Sequence, residues 1–390
     1  MHRKAMGAAL AVCCLTLSGC TLTQLEYQSV VPHDEQYNLD EGSDELVVDN
    51  YMGLKNAIFS FVEAGSEYGV IRIYQYENEE TWDSATIEAG LAEAVDEICN
   101  TDPLGVYAVD YMTHDCTQIA TYYEIHLYIT YTRTPEEIAA IIRVGGMNGI
   151  RSPMTAAIVE AEPKIALRVS NYAPTNYDLL ARRCYRGAPS QIVCLPEITS
   201  SIYPVSGVQR IVELQFQYPY TDAQMDARRA ELDAALGELA SQYPAAFYAT
   251  TLRSLCNQLR TQALGKTRTE DALLYDLMCG TTYSDESIAL AVTELCDRMG
   301  VSVHTVVGEK DGREYCWNMI LLGDVWYHLD TAAFVQTGEF KLSLDDDMQQ
   351  YSWNTAQYPT CDGQVIQDIP EGEIGAEARS RLSQNLKIRA

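Results

Sequence analysis

Apolar residues recur along this chain at two periods. Ile87, Leu91, Val95 and Ile98 fall at helical spacing, whereas IRIYQY and YYEIHLYITY alternate as half-buried strands do. The pattern predicts a helix over 49–65, a strand over 68–76, a helix over 82–99 and strands over 104–113 and 118–132. The same order then returns: helix 152–162, the strand KIALRVSNY, helix 176–186, and strands 192–199 and 207–218. Val62-Glu63-Ala64 before the first strand is echoed by Val159-Glu160-Ala161, and the two stretches end in YITYTRT and FQYPYT. Such self-similarity points to a duplicated unit of about eighty residues. After Thr221 the period changes to helices over 221–241, 245–264, 269–279 and 286–299, followed by strands over 301–308, 315–322 and 325–331. The expected fold class is α+β: two tandem helix-strand-helix-strand-strand units, then helices feeding an antiparallel sheet.

Composition narrows the function. The chain has 390 residues, 47% hydrophobic and 21% charged, which is globular material and excludes disorder or fibrous repeats. With 27 Lys and Arg against 55 Asp and Glu, the net charge is -28, and no basic cluster gathers. Nucleic acid is thereby excluded as a natural partner. Twenty-six Tyr stand beside 6 Phe and 4 Trp. Tyr joins apolar area to a polar tip, which suits half-wet sheet faces or binding surfaces.

The start of the chain has its own logic. His2, Arg3 and Lys4 precede an apolar run over residues 5–16 too short to span a bilayer, and Leu17-Ser18-Gly19-Cys20 follows directly. This resembles a bacterial lipoprotein signal peptide, which implies cleavage before Cys20 and a lipid on its thiol. The expected location is then the outer face of a bacterial cell membrane, with the lipid as the membrane partner. Removing residues 1–19 leaves 25 basic and 55 acidic side chains, a net charge of -30. Residues 21–50 hold eight carboxylates and no Lys or Arg, a self-repelling tether. The expected division is signal 1–19, tether 20–48, repeat units 49–134 and 135–220, a C-terminal domain 221–365 and a tail 366–390. Beyond Cys13, Cys14 and Cys20 there are nine cysteines and no C-x2-C pair. Cys99 with Cys116, and Cys184 with Cys194, flank predicted turns, so disulfides and buried free thiols are both open. Residues 50–220 show no nucleophile with a base, no phosphate loop and no metal spacing. They suggest a binding or spacer region, and neither cofactor nor metal is expected.

The C-terminal segments SIALAVTELCDRMGV (Ser287 to Val301), His304 to Gly308, Tyr315-Cys316-Trp317-Asn318-Met319-Ile320 and Val325-Trp326-Tyr327-His328-Leu329-Asp330 resemble the core of the transglutaminase-like family. Tyr351-Ser352-Trp353 to Pro359-Thr360-Cys361 fits the tail of bacterial members. The resemblance spans roughly residues 221–361 and implies a papain-type fold. It also implies a Cys at the core helix start, a His in H-A-W-N and an Asp fifteen residues later. A helix N-terminus and a neighbouring imidazolium would activate such a thiol, and the Asp would orient the imidazole.

In this chain the family's Cys position is Asp285 and its His position is Tyr315, while Asp330 alone agrees. Asp285 is expected to cap the helix start, and Trp317, Asn318 and Trp326 to remain as core or cleft scaffolding. Such replacements predict lost catalysis and a role in binding cell-wall peptide, glycan or an envelope protein. The competing expectation is a cysteine-type amidase, peptidase or acyltransferase using a displaced thiol. Cys279 would serve with His304 or His328, while Ser284 lies one residue from the expected nucleophile and Cys316 should point away from the cleft. A third is a glycan-cleaving pair of carboxylates, Asp285 and Asp330, which burial in a cap or salt bridge would end.

Overall fold

Asn50 opens the first described helix, its side chain accepting the Gly53 N–H at 2.7 Å, and the chain before it is already extended. The computed structural model describes residues 45–74, 83–243 and 248–363. The expected export signal, Cys20, most of the acidic tether, the end of the 68–76 strand and the tail from 366 lie outside the described residues. The first sheet unit runs β1 (Glu45–Val48), α1 (Tyr51–Ala64), β2 (Tyr68–Tyr74), α2 (Ser84–Asn100), α3 (Pro103–Ala108), β3 (Val109–Ile119) and β4 (Tyr122–Tyr131). Its strand order is β1-β2-β4-β3, with β1 parallel to β2 and the other pairs antiparallel.

After α4 (Pro135–Ala139) come β5 (Ile142–Val144), α5 (Arg151–Glu160), β6 (Lys164–Val169), α6 (Tyr177–Gly187), β7 (Glu197–Tyr203) and β8 (Arg210–Gln217). They form a second sheet in the order β5-β6-β8-β7 with the same senses. The duplication reaches individual atoms. The Tyr131 hydroxyl bridges the carbonyls of Phe61 and Ser66 at 3.1 and 3.0 Å, and the Tyr218 hydroxyl bridges those of Ala157 and Glu162 at 3.4 and 3.3 Å. Helices α1 and α5 both end in a left-handed residue, Gly65 and Ala161. Val62 thus corresponds to Ile158, one residue away from the Val159 that the sequence echo suggests.

Two expectations about the first sheet change. Residues 45–48 belong to the sheet and not to a tether, because Leu46 and Val48 are buried while Val47 faces out. Residues 103–108 are helical and not a strand: Asp102 accepts the N–H groups of Leu104 and Gly105, and Pro103 starts the turn. Gly105 is required there, since a Cβ would fall 1.9 Å from the Ile98 carbonyl oxygen. In the second unit the short strand β5 lies where the sequence pattern predicts no element, and β7 begins five residues after the expected 192.

The units are layered. Helix α3 packs on β7 and β8, where the Tyr107 hydroxyl donates to Glu213 at 2.9 Å, and Ala166, Tyr203 and Ile211 join the apolar cluster of the first unit. The second sheet therefore has one face partly covered by the first unit, around Ala166, Ile211 and Glu213, while Gln215 and Gln217 on that face stay exposed. Its other face belongs to a continuous apolar cluster that runs through α5 and α6 into the C-terminal helices.

That last region contains α7 (Asp222–Ser241), α8 (Ala249–Ala263), β9 (Thr267–Arg268), α9 (Leu274–Met278), β10 (Thr282–Tyr283) and α10 (Asp285–Arg298). Then follow β11 (Val303–Lys310), β12 (Arg313–Leu322), β13 (Val325–Leu329), α11 (Thr331–Thr337) and β14 (Tyr351–Trp353). The sheet is antiparallel in the order β13-β12-β11-β14, so the molecule is an α+β protein. The expected helix 269–279 contracts to α9, and the expected strand end at 331 becomes helix α11 because Asp330 accepts the Ala333 N–H at 2.8 Å.

Candidate functional site

Helix α10 starts with a capping box of two serines. Ser284 accepts the Ser287 N–H at 2.9 Å, Ser287 accepts the Ser284 N–H at 2.8 Å, and the Ser284 hydroxyl donates to the Ala272 carbonyl at 2.7 Å. Ser284, and not Asp285, is thus the cap, and its buried hydroxyl is fully engaged. Asp285 is the first helical residue. Its carboxylate receives a forked pair of N–H groups from Arg268 on β9, one at 2.9 Å, and the Gln336 amide from α11 at 3.3 Å.

Strand β12 alternates. Cys316, Asn318 and Ile320 face α10, and Tyr315, Trp317 and Met319 face the segment around β14. The Tyr315 hydroxyl donates to Asp330 at 2.9 Å, and the same carboxylate takes the Tyr351 hydroxyl at 2.6 Å and the Lys310 ammonium at 2.7 Å. Lys310 lies 4.7 Å from the centre of the Tyr315 ring and 5.0 Å from that of Tyr351. Burial, then the carboxylates of Asp330 and Asp285, push the Tyr315 phenol far above its ordinary range. Burial and Asp330 push Tyr351 up to about 12, and Asp330 holds the Lys310 ammonium above the usual lysine range against the opposing effect of burial.

The structure therefore brings Asp285 close enough to Tyr315 to raise its pKa, but each carboxylate is matched within its own set: Asp285 with Arg268 and Gln336, and Asp330 with Tyr315, Tyr351 and Lys310. Chemically the arrangement can do little: the phenol stays protonated, and each carboxylate already faces a cation. The expectation of Asp285 and Asp330 as a glycan-cleaving pair is overturned, because the first lies in a salt bridge and the second is both paired with Lys310 and capping α11.

The thiols and imidazoles lie elsewhere. Cys316 is buried beside Glu286 and pushed up to about 12 by burial and that carboxylate. Cys279 ends α9, where burial and Glu231 raise its pKa more than Lys266 and Arg228 lower it. The nine cysteines of the described residues are all free, so neither disulfide considered above forms. His304 stacks on Trp326 with ring centres 5.1 Å apart. His328 is wholly buried between two partners: its Nδ1 accepts the Trp317 indole N–H at 2.9 Å, and its Nε2 is 2.8 Å from Asp345 Oδ1. An indole only donates, so Nδ1 is the acceptor and the proton stands on Nε2, directed at Asp345.

That tautomer decides the character of a second cluster. His328 Nε2, an Asp345 oxygen and the Cys361 sulfur lie within 4.8 Å of one another, a spacing that could hold a metal ion. The nitrogen that would bind an ion carries the proton instead, and burial and Asp345 push the Cys361 thiol up to about 12. The cluster pins the chain after α11 to the sheet, with the Asp345 N–H donating to the Cys361 carbonyl at 2.8 Å and the Asp345 carboxylate accepting the Cys361 N–H at 3.1 Å. Gly308 makes the closure possible, since a Cβ there would meet the Ser352 carbonyl oxygen at 2.2 Å and the Trp317 ring at 2.8 Å.

Trp317 and Asn318 are fully buried, hence core and not cleft lining, whereas Trp326 is half-buried against His304. Asn318 ties the Ala289 carbonyl of α10 to Thr331 of α11 at 2.9 and 3.2 Å. Sequence reasoning missed Arg268, Lys310, Gln336 and Tyr351, the partners that neutralise the network. It also missed Glu286, which is paired with both Arg182 and Arg186 of α6. Lys310 alternates in phase with Tyr315 across the β11–β12 hairpin, a signal that could have identified it; the others come from elements distant in sequence, β9, α11 and β14. Compared with known protein families the chain matches none, and no curated protein matches it either.

Proposed function

We propose that this chain is a cell-envelope lipoprotein, held by a lipid on Cys20 at the outer face of a bacterial membrane, whose transglutaminase-like C-terminal region binds a ligand or partner protein without catalysing a reaction. The observation that supports the silent site is the pairing of Asp285 with Arg268 and of Tyr315 and Lys310 with Asp330. An acyl-transfer enzyme of that family needs a thiolate and an imidazole at these places, and a phenol with a raised pKa replaces neither. The thiols nearest in sequence, Cys279 and Cys316, are both shifted toward the unreactive protonated form.

The test is thiol labelling at neutral pH with site mapping, run beside an amide-hydrolysis and transamidation assay. Uniformly slow labelling with no turnover is expected. Fast selective labelling of Cys279, with hydrolysis abolished by Cys279→Ala, would show an enzyme instead. Incorporation of labelled palmitate in cells, lost in Cys20→Ser, checks the anchor.

A further inference from the structure

Alternation in the first sheet turns five tyrosines to the face opposite its helices: Tyr68 and Tyr74 on β2, Tyr111 on β3, and Tyr122 and Tyr128 on β4. They pair across strands, with ring centres 5.4 Å apart for Tyr68 and Tyr128 and 5.2 Å for Tyr74 and Tyr122. Tyr111 is 55% exposed and Tyr128 is 44% exposed. At one end of the face these two rings, with Glu67, Thr113, Thr130 and Arg133, line an open groove of about 550 Å³.

The second unit is an internal control. Tyr128 lies between Tyr68 and Thr113, and the matching place in the second sheet has Gln215 between Lys164 and Thr199. Tyr111 faces Thr130, and its counterpart Glu197 faces Gln217. The corresponding groove there is only about 260 Å³. Two copies of one fold thus stand with and without these rings, so the scaffold does not require them. An exposed run of aromatic residues that the fold does not need marks an interaction site.

We propose that this tyrosine face binds a neutral glycan chain, and that the binding is independent of whether the C-terminal region is silent. A pyranose ring offers an apolar C–H face and a rim of hydroxyls. Tyrosine offers a flat apolar ring with a hydroxyl at its tip, at little conformational cost on binding, and Thr113, Thr130 and Glu67 add hydrogen-bonding groups along the groove. The cations near the face are already matched: Arg72 bonds Glu124 at 2.9 Å and Arg133 lies 3.2 Å from Glu213. With a net charge of -28 over the whole chain, an anionic polymer finds no attraction here. A protein partner would want a contiguous apolar centre, and the aliphatic side chains on this face are only Val47, Val70 and Ile119 among the described residues.

The experiment is calorimetric titration of the whole chain in detergent with a β-1,4-linked N-acetylglucosamine hexamer, an α-1,4-linked glucose hexamer and a heparin hexasaccharide. Binding of at least one neutral hexamer is expected. Tyr111→Ala and Tyr128→Ala should each weaken it roughly tenfold or more, while Lys164→Ala and Gln215→Ala leave it unchanged. Unaltered melting curves would show that the variants remain folded. The proposal is overturned if neither neutral hexamer binds, if both tyrosine variants bind as the parent does, if heparin binds more tightly, or if these tyrosines capture a protein while no sugar binds.

Discussion

The molecule gathers aromatic hydroxyls in two sheets and treats them in opposite ways. In the C-terminal sheet Tyr315 and Tyr351 both close onto Asp330 beside Lys310, and the site is satisfied from within. On the first sheet Tyr111 and Tyr128 hold their rings half in water above an open groove. The difference teaches where to look for recognition. A polar cluster whose donors and acceptors are all matched internally gains little from a ligand, since each new contact must replace an existing one. A ring that stands half in water can gain a ligand contact without first breaking an interior one.

The sharpest attempt to break this contrast is Asp330→Ala. It strands the Lys310 ammonium and two phenols and removes the α11 cap, and should cost about 3 kcal/mol or more in urea denaturation. Asp330→Asn keeps the acceptor for the Ala333 N–H and should cost less. A neutral result for Asp330→Ala would mean that the network is open to solvent and available to a ligand after all.

The next effect is on pH dependence. Burial lowers the His328 pKa in the fold more than Asp345 raises it, whereas the unfolded chain titrates near 6.5. The unfolded state therefore binds more protons in this range, so the contribution of His328 is complete above about pH 6.5 and is lost as pH falls through the lowered value. Melting temperature should drop between pH 7 and pH 5, and His328→Gln should flatten that slope even though the variant starts less stable. An equal slope in the variant would place the titration elsewhere, His304 being the other imidazole lowered by burial.

Smaller and more discriminating is the pair Tyr131→Phe and Tyr218→Phe. Each removes one shared hydroxyl proton from two carbonyls, worth about 1 kcal/mol. The bonds at Tyr131 are the shorter, so its substitution should cost more, and the reverse order would show that the two copies are strained differently. Smallest is Tyr128→Ala, expected to alter stability by no more than about 0.5 kcal/mol, as befits a side chain that faces water. A loss of several times that would make the open face structural and remove its freedom to bind.

Much of the architecture was legible from periodicity. Helix α2 has apolar positions at strict helical spacing, and β4 alternates along its whole length. What escaped was short or locally ambiguous. β1 hides among acidic residues, and α3 is a six-residue apolar stretch whose helicity rests on Asp102 and Pro103. At the candidate site, the substitutions at Asp285 and Tyr315 could be counted directly, but their partners could not: Arg268 precedes Asp285 by 17 residues and Gln336 follows it by 51.

By itself the sequence determined the α+β class, the duplication and the want of a thiol and an imidazole where the family resemblance expects them, because these depend on residue type and local spacing. It also determined which tyrosines share a sheet face, since alternation in an extended chain leaves no choice. Only the tertiary structure decided which faces are covered. The helices of the first unit reach across to the second sheet through contacts such as Tyr107 to Glu213, 106 residues apart, and leave the first sheet's own outer face in water. Burial is a property of what packs against a surface, and no local pattern states what will arrive there.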